Sequence, residues 1–455
     1  MAIRDIIIVG IVIALALWSL RKPWIGVMNW TWLSIMNPHR YAWGFAYSFP
    51  VAAIAGIATL IGLLLTKERQ SPFKGAPTWW LIALATWITL SWLFGYDAAG
   101  DFAQWDKVMK IYLMTFVALS LLHTKQHIII YAWVTVGSVA FLAAKGGFFT
   151  IVTGGSYRVW GPLGSFISDN NHFALAAIMT IPMLHFLQLQ LKKPWQRHLM
   201  TLTMLLSIAA ALGSQSRGAL LALIAMGIVF WWRSSRKAAI GLMMLLALIA
   251  MLPMMPDEWW DRMATIQDYE QDASAMGRIN AWLVAIKVAQ SSLFGGGMSY
   301  QHDYYFVAYG VFEKTVRAAH SIYFQILGNH GFIGLFLYIA FWISTFLSAG
   351  RLRKASTSDT EAKWANDLGA MVQVSLVAFG AGGAFLSMPY FDMPYNLMVM
   401  VVLAHEWVAT HATHGSLHTI PSRTTTPKTG SRPSTFFPDR QHDCHLARPI
   451  PGDDG

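Results

Sequence analysis

A chain of 455 residues that is 55% hydrophobic, 14% aromatic and only 12% charged lacks the polar surface of a soluble domain, in which about a quarter of residues are charged. A formal net charge of +10 would suggest nucleic acid in a soluble protein, but the Lys and Arg fall in short loops between apolar runs, as membrane topology demands, and no room is left for a nucleic-acid domain. A single cysteine, Cys444, excludes an intramolecular disulfide.

In chain order, about twelve transmembrane helices are predicted, near 3–20, 43–65, 79–95, 107–122, 127–144, 172–190, 199–213, 217–232, 238–255, 321–347, 366–388 and 393–410. The first is a retained helix rather than a cleaved signal, because Arg21, Lys22 and Pro23 follow it in place of a small-residue cleavage site. Trp24–Met36 is apolar but too short to span, and is expected to lie in the interface with Trp24, Trp30 and Trp32 at headgroup depth. No internal repeat of transporter type is visible.

Placing the N-terminus inside gives inner loops with Lys67, Arg69, Lys74, Lys125, Lys192, Lys193, Arg197, Arg233, Arg236, Lys237, Arg351, Arg353, Lys354 and Lys363. The short outer loops hold mainly Arg21, Lys22, Arg40, Lys145, Arg158 and Arg217, and the outer loop at 96–106 is acidic. A bias of about two to one sets orientation, and Arg21 and Lys22 are its one misfit. The expected organisation is an all-α polytopic membrane domain over 1–410, with a long external, helix-containing loop at 256–320, and a disordered cytoplasmic tail at 411–455 rich in Pro, Ser, Thr and His. The tail histidines lack metal-ligand spacing.

Three basic residues fall at the outer side. Arg217 lies in Gly213-Ser-Gln-Ser-Arg-Gly218, where Ser216 is a good N-cap for the next helix. A cation is disfavoured at that positive end of the dipole unless an anion joins it; the alternative is a snorkelling helix-end arginine. Arg278 opens an amphipathic stretch, Arg278–Gln290, either as a solvated helix-end residue or as a second anion contact. His320, at the mouth of the next span, is either structural or a proton acceptor. Two arginines and a histidine suit a lipid pyrophosphate leaving group and an incoming hydroxyl. No P-loop, Asp-x-Asp, Gly-x-Ser-x-Gly or His-Glu-x-x-His motif is present, and neither a metal site nor a cofactor is expected.

Together these segments resemble the O-antigen ligase and polymerase superfamily. The likeness rests on Ser214-Gln-Ser-Arg-Gly-Ala-Leu-Leu, on Gly277-Arg278 with Trp282 and Leu293-Phe-Gly-Gly-Gly297, and on Ala319-His-Ser-Ile-Tyr-Phe-Gln-Ile-Leu327 running into Gly331-Phe-Ile-Gly334. Upstream, Gly164-Ser-Phe-Ile-Ser-Asp-Asn-Asn-His-Phe-Ala174 resembles the asparagine-rich loop before that core. Lys22-Pro-Trp-Ile-Gly26 and Met36-Asn-Pro-His-Arg40 look closest to the O-glycosylation ligases associated with exosortase systems.

The resemblance implies a GT-C-like fold in the bacterial inner membrane and metal-independent glycan transfer. The donor would be a glycan on undecaprenyl pyrophosphate and the acceptor lipid A–core. Carried over by position, Arg217 and Arg278 would hold the pyrophosphate and His320 would activate the acceptor hydroxyl. Arg317, three residues before His320 and on its helical face, is a further substrate-binding candidate, as are Asn170, Asn171 and Arg158. A polymerase would differ only in its acceptor. A transporter of lipid-linked sugars would need charges along a path through the membrane, and the predicted spans are nearly free of them. His330 is left structural, and the aromatic pairs Trp259-Trp260 and Tyr304-Tyr305 would either dock the loop on the membrane or stack on sugars.

Overall fold

The computed structural model describes residues 3–233, 237, 238, 241, 273–357 and 360–417. Among them the regular structure is helical throughout. The α-helices are α1 (Ile3–Ser19), α2 (Pro23–Met36), α3 (Val51–Leu65), α4 (Gly75–Leu93), α5 (Phe102–Leu121), α6 (Lys125–Val152), α7 (Asn170–Gln190), α8 (Pro194–Gly213), α9 (Arg217–Arg233), α10 (Ala273–Ser291), α11 (Asp303–Tyr309), α12 (Ile322–Ala355), α13 (Lys363–Gly383) and α14 (Asp392–Leu417). By length and composition α6, α7 and α12 are each long and apolar enough to cross a membrane, and α3 and Arg217–Trp232 are shorter apolar helices. α7 is buried along most of its length, whereas α1 and α3 carry exposed Ile and Leu. In a water-soluble fold such faces would be covered; here they suit lipid. The molecule is a multi-pass membrane protein. The predicted span at 238–255 and the Trp259-Trp260 pair lie outside the described residues, as does the tail from 418 on; α14 itself continues to Leu417, past the expected end at 410.

Trp24–Met36 does not lie in an interface. It forms α2, which runs antiparallel to α1 and α3 and buries Ile25, Val27, Met28, Leu33 and Ile35. Close approach is what holds it there. A Cβ on Gly26 would stand 2.1 Å from Thr59 Oγ1, and one on Gly62 would stand 2.4 Å from the Ser19 carbonyl. Pro23 starts the helix, where a missing N–H costs nothing, and Asn37, in the left-handed conformation, ends it.

This extra helix reverses α1. Arg4 donates to the Tyr41 carbonyl at 2.8 Å, and buried Asp5 accepts from the N–H groups of Gly44 and Ala46. The N-terminus therefore sits at the same end of the bundle as residues 41–46, the end that also holds the loop before α7. Arg21 and Lys22 move to the other end. There Lys22 is within electrostatic range of His127, Trp24 stacks on His127 at 4.8 Å, and the Gln70 N–H bonds to the Ser120 carbonyl. The expected placement of the N-terminus at the end opposite the loop before α7 is corrected: the two share one end. Sequence reading left α2 out of the bundle because its 14 residues fall below the length of a spanning helix.

A second clamp fixes the long loop. Residues 293–297 lie against a break in α12 at Gly331 (φ 68°, ψ −172°), where a Cβ would meet the Leu293 carbonyl at 2.5 Å. The Gly296 and Gly297 N–H groups donate to the carbonyls of Gly328 and Asn329 at 2.9 Å. Asp101, ahead of α5, accepts from the N–H groups of Met298 and Ser299 at 2.8 and 3.2 Å. His330 is fully buried and uses both ring nitrogens, at 2.8 Å to Ser91 Oγ and 2.6 Å to Tyr390 OH. Tyr304 stacks on Tyr96 with ring centroids 4.8 Å apart, tying α11 to the turn after α4.

Candidate functional site

Arg217 is the first residue of α9, and Ser216 caps it, accepting from the Ala219 N–H at 3.2 Å. The turn before it is forced by packing. A Cβ on Gly213 would fall 2.0 Å from Thr150 Oγ1, and Gln215 adopts φ 55°. Two of the expected substrate-binding residues hold this turn. Arg158 Nε donates to Gln215 Oε1 at 3.1 Å, and the buried Asn170 Nδ2 donates to the Ser214 carbonyl at 2.7 Å. Both thus set the geometry of the arginine turn.

Asp169 caps α7, accepting from the backbone N–H of Asn171 at 2.8 Å and of His172 at 3.4 Å, and from Asn171 Nδ2 at 2.9 Å. The start of α7 therefore touches the Arg217 turn through Asn170. It also reaches the other half of the site, since Asp169 and His172 are both within electrostatic range of His320.

His320 itself is half-buried in the left-handed region, at φ 44°. That conformation costs a non-glycine residue about 1–3 kcal/mol and is held only by its surroundings. Here the Trp282 indole N–H donates to the Ala319 carbonyl at 2.7 Å, and Trp282 stacks on Phe324 at 4.8 Å and 9°. Arg278 and Trp282 are four residues apart on α10 and so share a face. The face that carries Trp282 to the residue before His320 also carries Arg278 into electrostatic range of His320. Burial pushes the imidazole pKa below its usual value, Arg278 and then His172 push the same way, and Asp169 opposes them. All of these influences but Asp169's favour the neutral imidazole, the form able to accept a proton.

Both halves meet the end of α13. A Cβ on Gly218, next to Arg217, would lie 3.3 Å from Phe385 Cβ, and a Cβ on Gly383 would lie 2.5 Å from Ile322 Cδ1, two residues after His320. The arginine turn and the residues just after His320 thus both touch the end of α13, while Arg278, His172 and Asp169 surround His320 electrostatically.

Arg317 is placed differently. Residues 310–321 are not helical, so the shared helical face with His320 does not exist. Arg317 is exposed and forms a two-point pair with Glu313, Nε to Oε1 at 2.9 Å and the terminal nitrogen to Oε2 at 3.3 Å. Sequence reading also missed Asn280. It is fully buried, donates to the Glu313 carbonyl at 2.8 Å and accepts from the N–H groups of Val311 and Phe312. Its position two residues after Arg278 carried no signal, because an Asn on a polar-looking helix face is ordinary.

Residues 202–339 match the O-antigen ligase family. The matched segment holds Arg217, Arg278, Trp282 and His320, so the likeness read from the three short motifs rests on the same stretch. The likeness supports glycan ligase or polymerase activity and a lipid-linked substrate in general terms. Residues 3–193 match a family of unknown function, DUF5935. Asp169, Asn170 and His172 fall in this second match, so the site is assembled from both. No curated protein matches the chain.

Proposed function

We propose that the protein is a glycan ligase of the bacterial inner membrane, transferring a glycan from undecaprenyl pyrophosphate to a hydroxyl of lipid A–core at the periplasmic face. The observation that carries this reading is the Trp282–Ala319 hydrogen bond, which holds His320 within electrostatic range of Arg278. The acceptor hydroxyl attacks the anomeric carbon as the bond from that carbon to the pyrophosphate oxygen breaks. His320 takes the hydroxyl proton and later releases it to water. Arg217 and Arg278 hold the departing pyrophosphate, whose charge grows as the bond breaks. No metal is required in this scheme.

Arg278 has two roles that fit together. Without donor, its charge adds to burial in lowering the His320 pKa; once a pyrophosphate neutralises it, the imidazole becomes a stronger base as the acceptor arrives. The orientation rests on charge. With α1 reversed, Arg21 and Lys22 join Lys67, Arg69, Lys74 and Lys125 at the far end, which strengthens the assignment of that end to the cytoplasm. The site is then periplasmic.

The test is transfer by purified protein from an undecaprenyl-pyrophosphate-linked glycan to lipid A–core, with chelator present. Glycan on lipid A–core supports the ligase. Extension of the glycan on its own carrier would make the protein a polymerase, and glycan flux across liposomes without bond cleavage would replace the enzyme with a transporter.

A further inference from the structure

Away from the His320 site, three cations gather on the other side of the loop that leads into α7. The Arg40 guanidinium lies along the backbone of that loop. A Cβ on Gly164 (φ +76°) would stand 3.6 Å from its Cζ and Nε. Arg40 also covers the Tyr47 ring at 4.8 Å, and among the described residues its buried Nε has no hydrogen-bond partner. Lys107 Nζ sits 3.7 Å from the Phe166 ring, two residues further along the same loop, and is within electrostatic range of Arg40. Lys145 Nζ sits 5.3 Å from the ring of Tyr41, next to Arg40.

Lys145 is the more telling because α6 is longer than expected. The helix runs to Val152, so this lysine stands on the helix rather than in a loop. Among the described residues no carboxylate lies within ion-pair distance of Arg40, Lys107 or Lys145. The one acid in electrostatic range of Lys107 is Asp392, which is engaged by Ser34. Like charges gathered there repel each other, and the aromatic ring beneath each of the three offsets only a small part of that.

We infer that Arg40, Lys107 and Lys145 form a second anion site, binding a phosphate- or carboxylate-class group of a membrane-anchored substrate. It is separate from the Arg217–Arg278 pair and does not depend on the transfer reading. The loop it grips, 161–168, continues into Asp169 and His172, which face His320. An anion seated on the cluster would fix that loop.

The experiment uses the full-length protein in phosphatidylcholine nanodiscs, with Arg217→Gln and Arg278→Gln introduced to silence the first pair. Inorganic pyrophosphate is titrated while the unfolding temperature is followed. Adding R40Q and K107Q should raise the half-saturating concentration by about 10-fold or more, as expected for losing charge-assisted contacts, while Lys107→Arg should leave it within about 2-fold. Lys145→Gln, a change at an exposed position, should weaken binding by about 3-fold or more, and decides the matter if R40Q/K107Q fails to fold. Absence of any saturable response in the silenced protein, or unchanged curves in R40Q/K107Q and Lys145→Gln, overturns the second site and leaves the transfer proposal standing. Two further probes identify the source. Weakened binding of glycan-free undecaprenyl pyrophosphate would mean that the cluster takes the carrier phosphate; weakened binding of glucose 6-phosphate or glucuronate alone would mean that it reads an acid group on a sugar.

Discussion

Trp282 holds His320 in place by bonding to the carbonyl of Ala319, the residue immediately before it. The same tryptophan is one helical turn from Arg278. A single indole N–H therefore sets the spacing between cation and base. Trp282→Phe keeps the stack on Phe324 but leaves that carbonyl without its donor. Transfer kcat should fall by about 10-fold, because a shift well under 1 Å in a positioned base is enough for that. KM should change little and stability should drop by about 1 kcal/mol. A loss of stability with kcat untouched would reduce Trp282 to packing.

His320 titrates between opposing charges, so two substitutions should move it in opposite directions. Arg278→Gln removes a charge that lowers the imidazole pKa; the acid limb of the activity profile should move to higher pH. Asp169→Asn keeps a residue able to cap α7 but removes the charge that raises the pKa, so the limb should move to lower pH. His320→Gln should remove the limb and about 10²–10⁴-fold of the rate. Measuring kcat/KM against pH in the three variants checks this. Shifts of the same sign in the first two would show that the limb belongs to another group.

Asp101 carries more than its place in an acidic loop suggests. Its Oδ2 accepts both N–H groups of Met298 and Ser299, at the end of the glycine run that packs against the break in α12. Asp101→Ala orphans two donors, one of them buried, and should cost about 1–3 kcal/mol. Asp101→Asn retains an acceptor and should cost less. Thermal unfolding in detergent distinguishes the two; equal effects would mean that charge rather than the hydrogen bonds matters there.

What the sequence discloses about the site follows from chain locality. The capped arginine turn at 213–218 was readable because an N-cap and a glycine leave a local signature, and the structure has Ser216 capping α9. Arg278 was readable as the start of an amphipathic helix with Trp282 on its apolar side. Asp169 was not, since its proximity to His320 bridges about 150 residues of chain and no periodicity encodes it. Arg317 went wrong for a related reason. Helical spacing was extended back into 310–321, where Asn280, on another helix, holds the backbone of 311–313 in a loop instead. The fold shows the same division. The apolar runs are legible as helices, but α2 is recognised as part of the bundle only once Gly26 and Gly62 let it pack between α1 and α3.

The reversed α1 gives the sharpest test of topology. Arg4 lies with Tyr41 at the end that holds His320, and Lys22 lies with His127 at the opposite end. In a Cys444→Ser background, which removes the single native thiol, Arg4→Cys in intact cells should react with a membrane-impermeant maleimide added from outside. Lys22→Cys should react only after the inner membrane is opened. The inward N-terminus suggested by composition alone requires the opposite pattern. The two positions are helix ends on the same short helix, so a failure of insertion would silence both and could not mimic a reversal. Gly26→Leu supplies the physical control: its side chain would collide with Thr59 and Ser19, so α2 could no longer seat between α1 and α3, and the clean separation of the two labelling patterns should be lost.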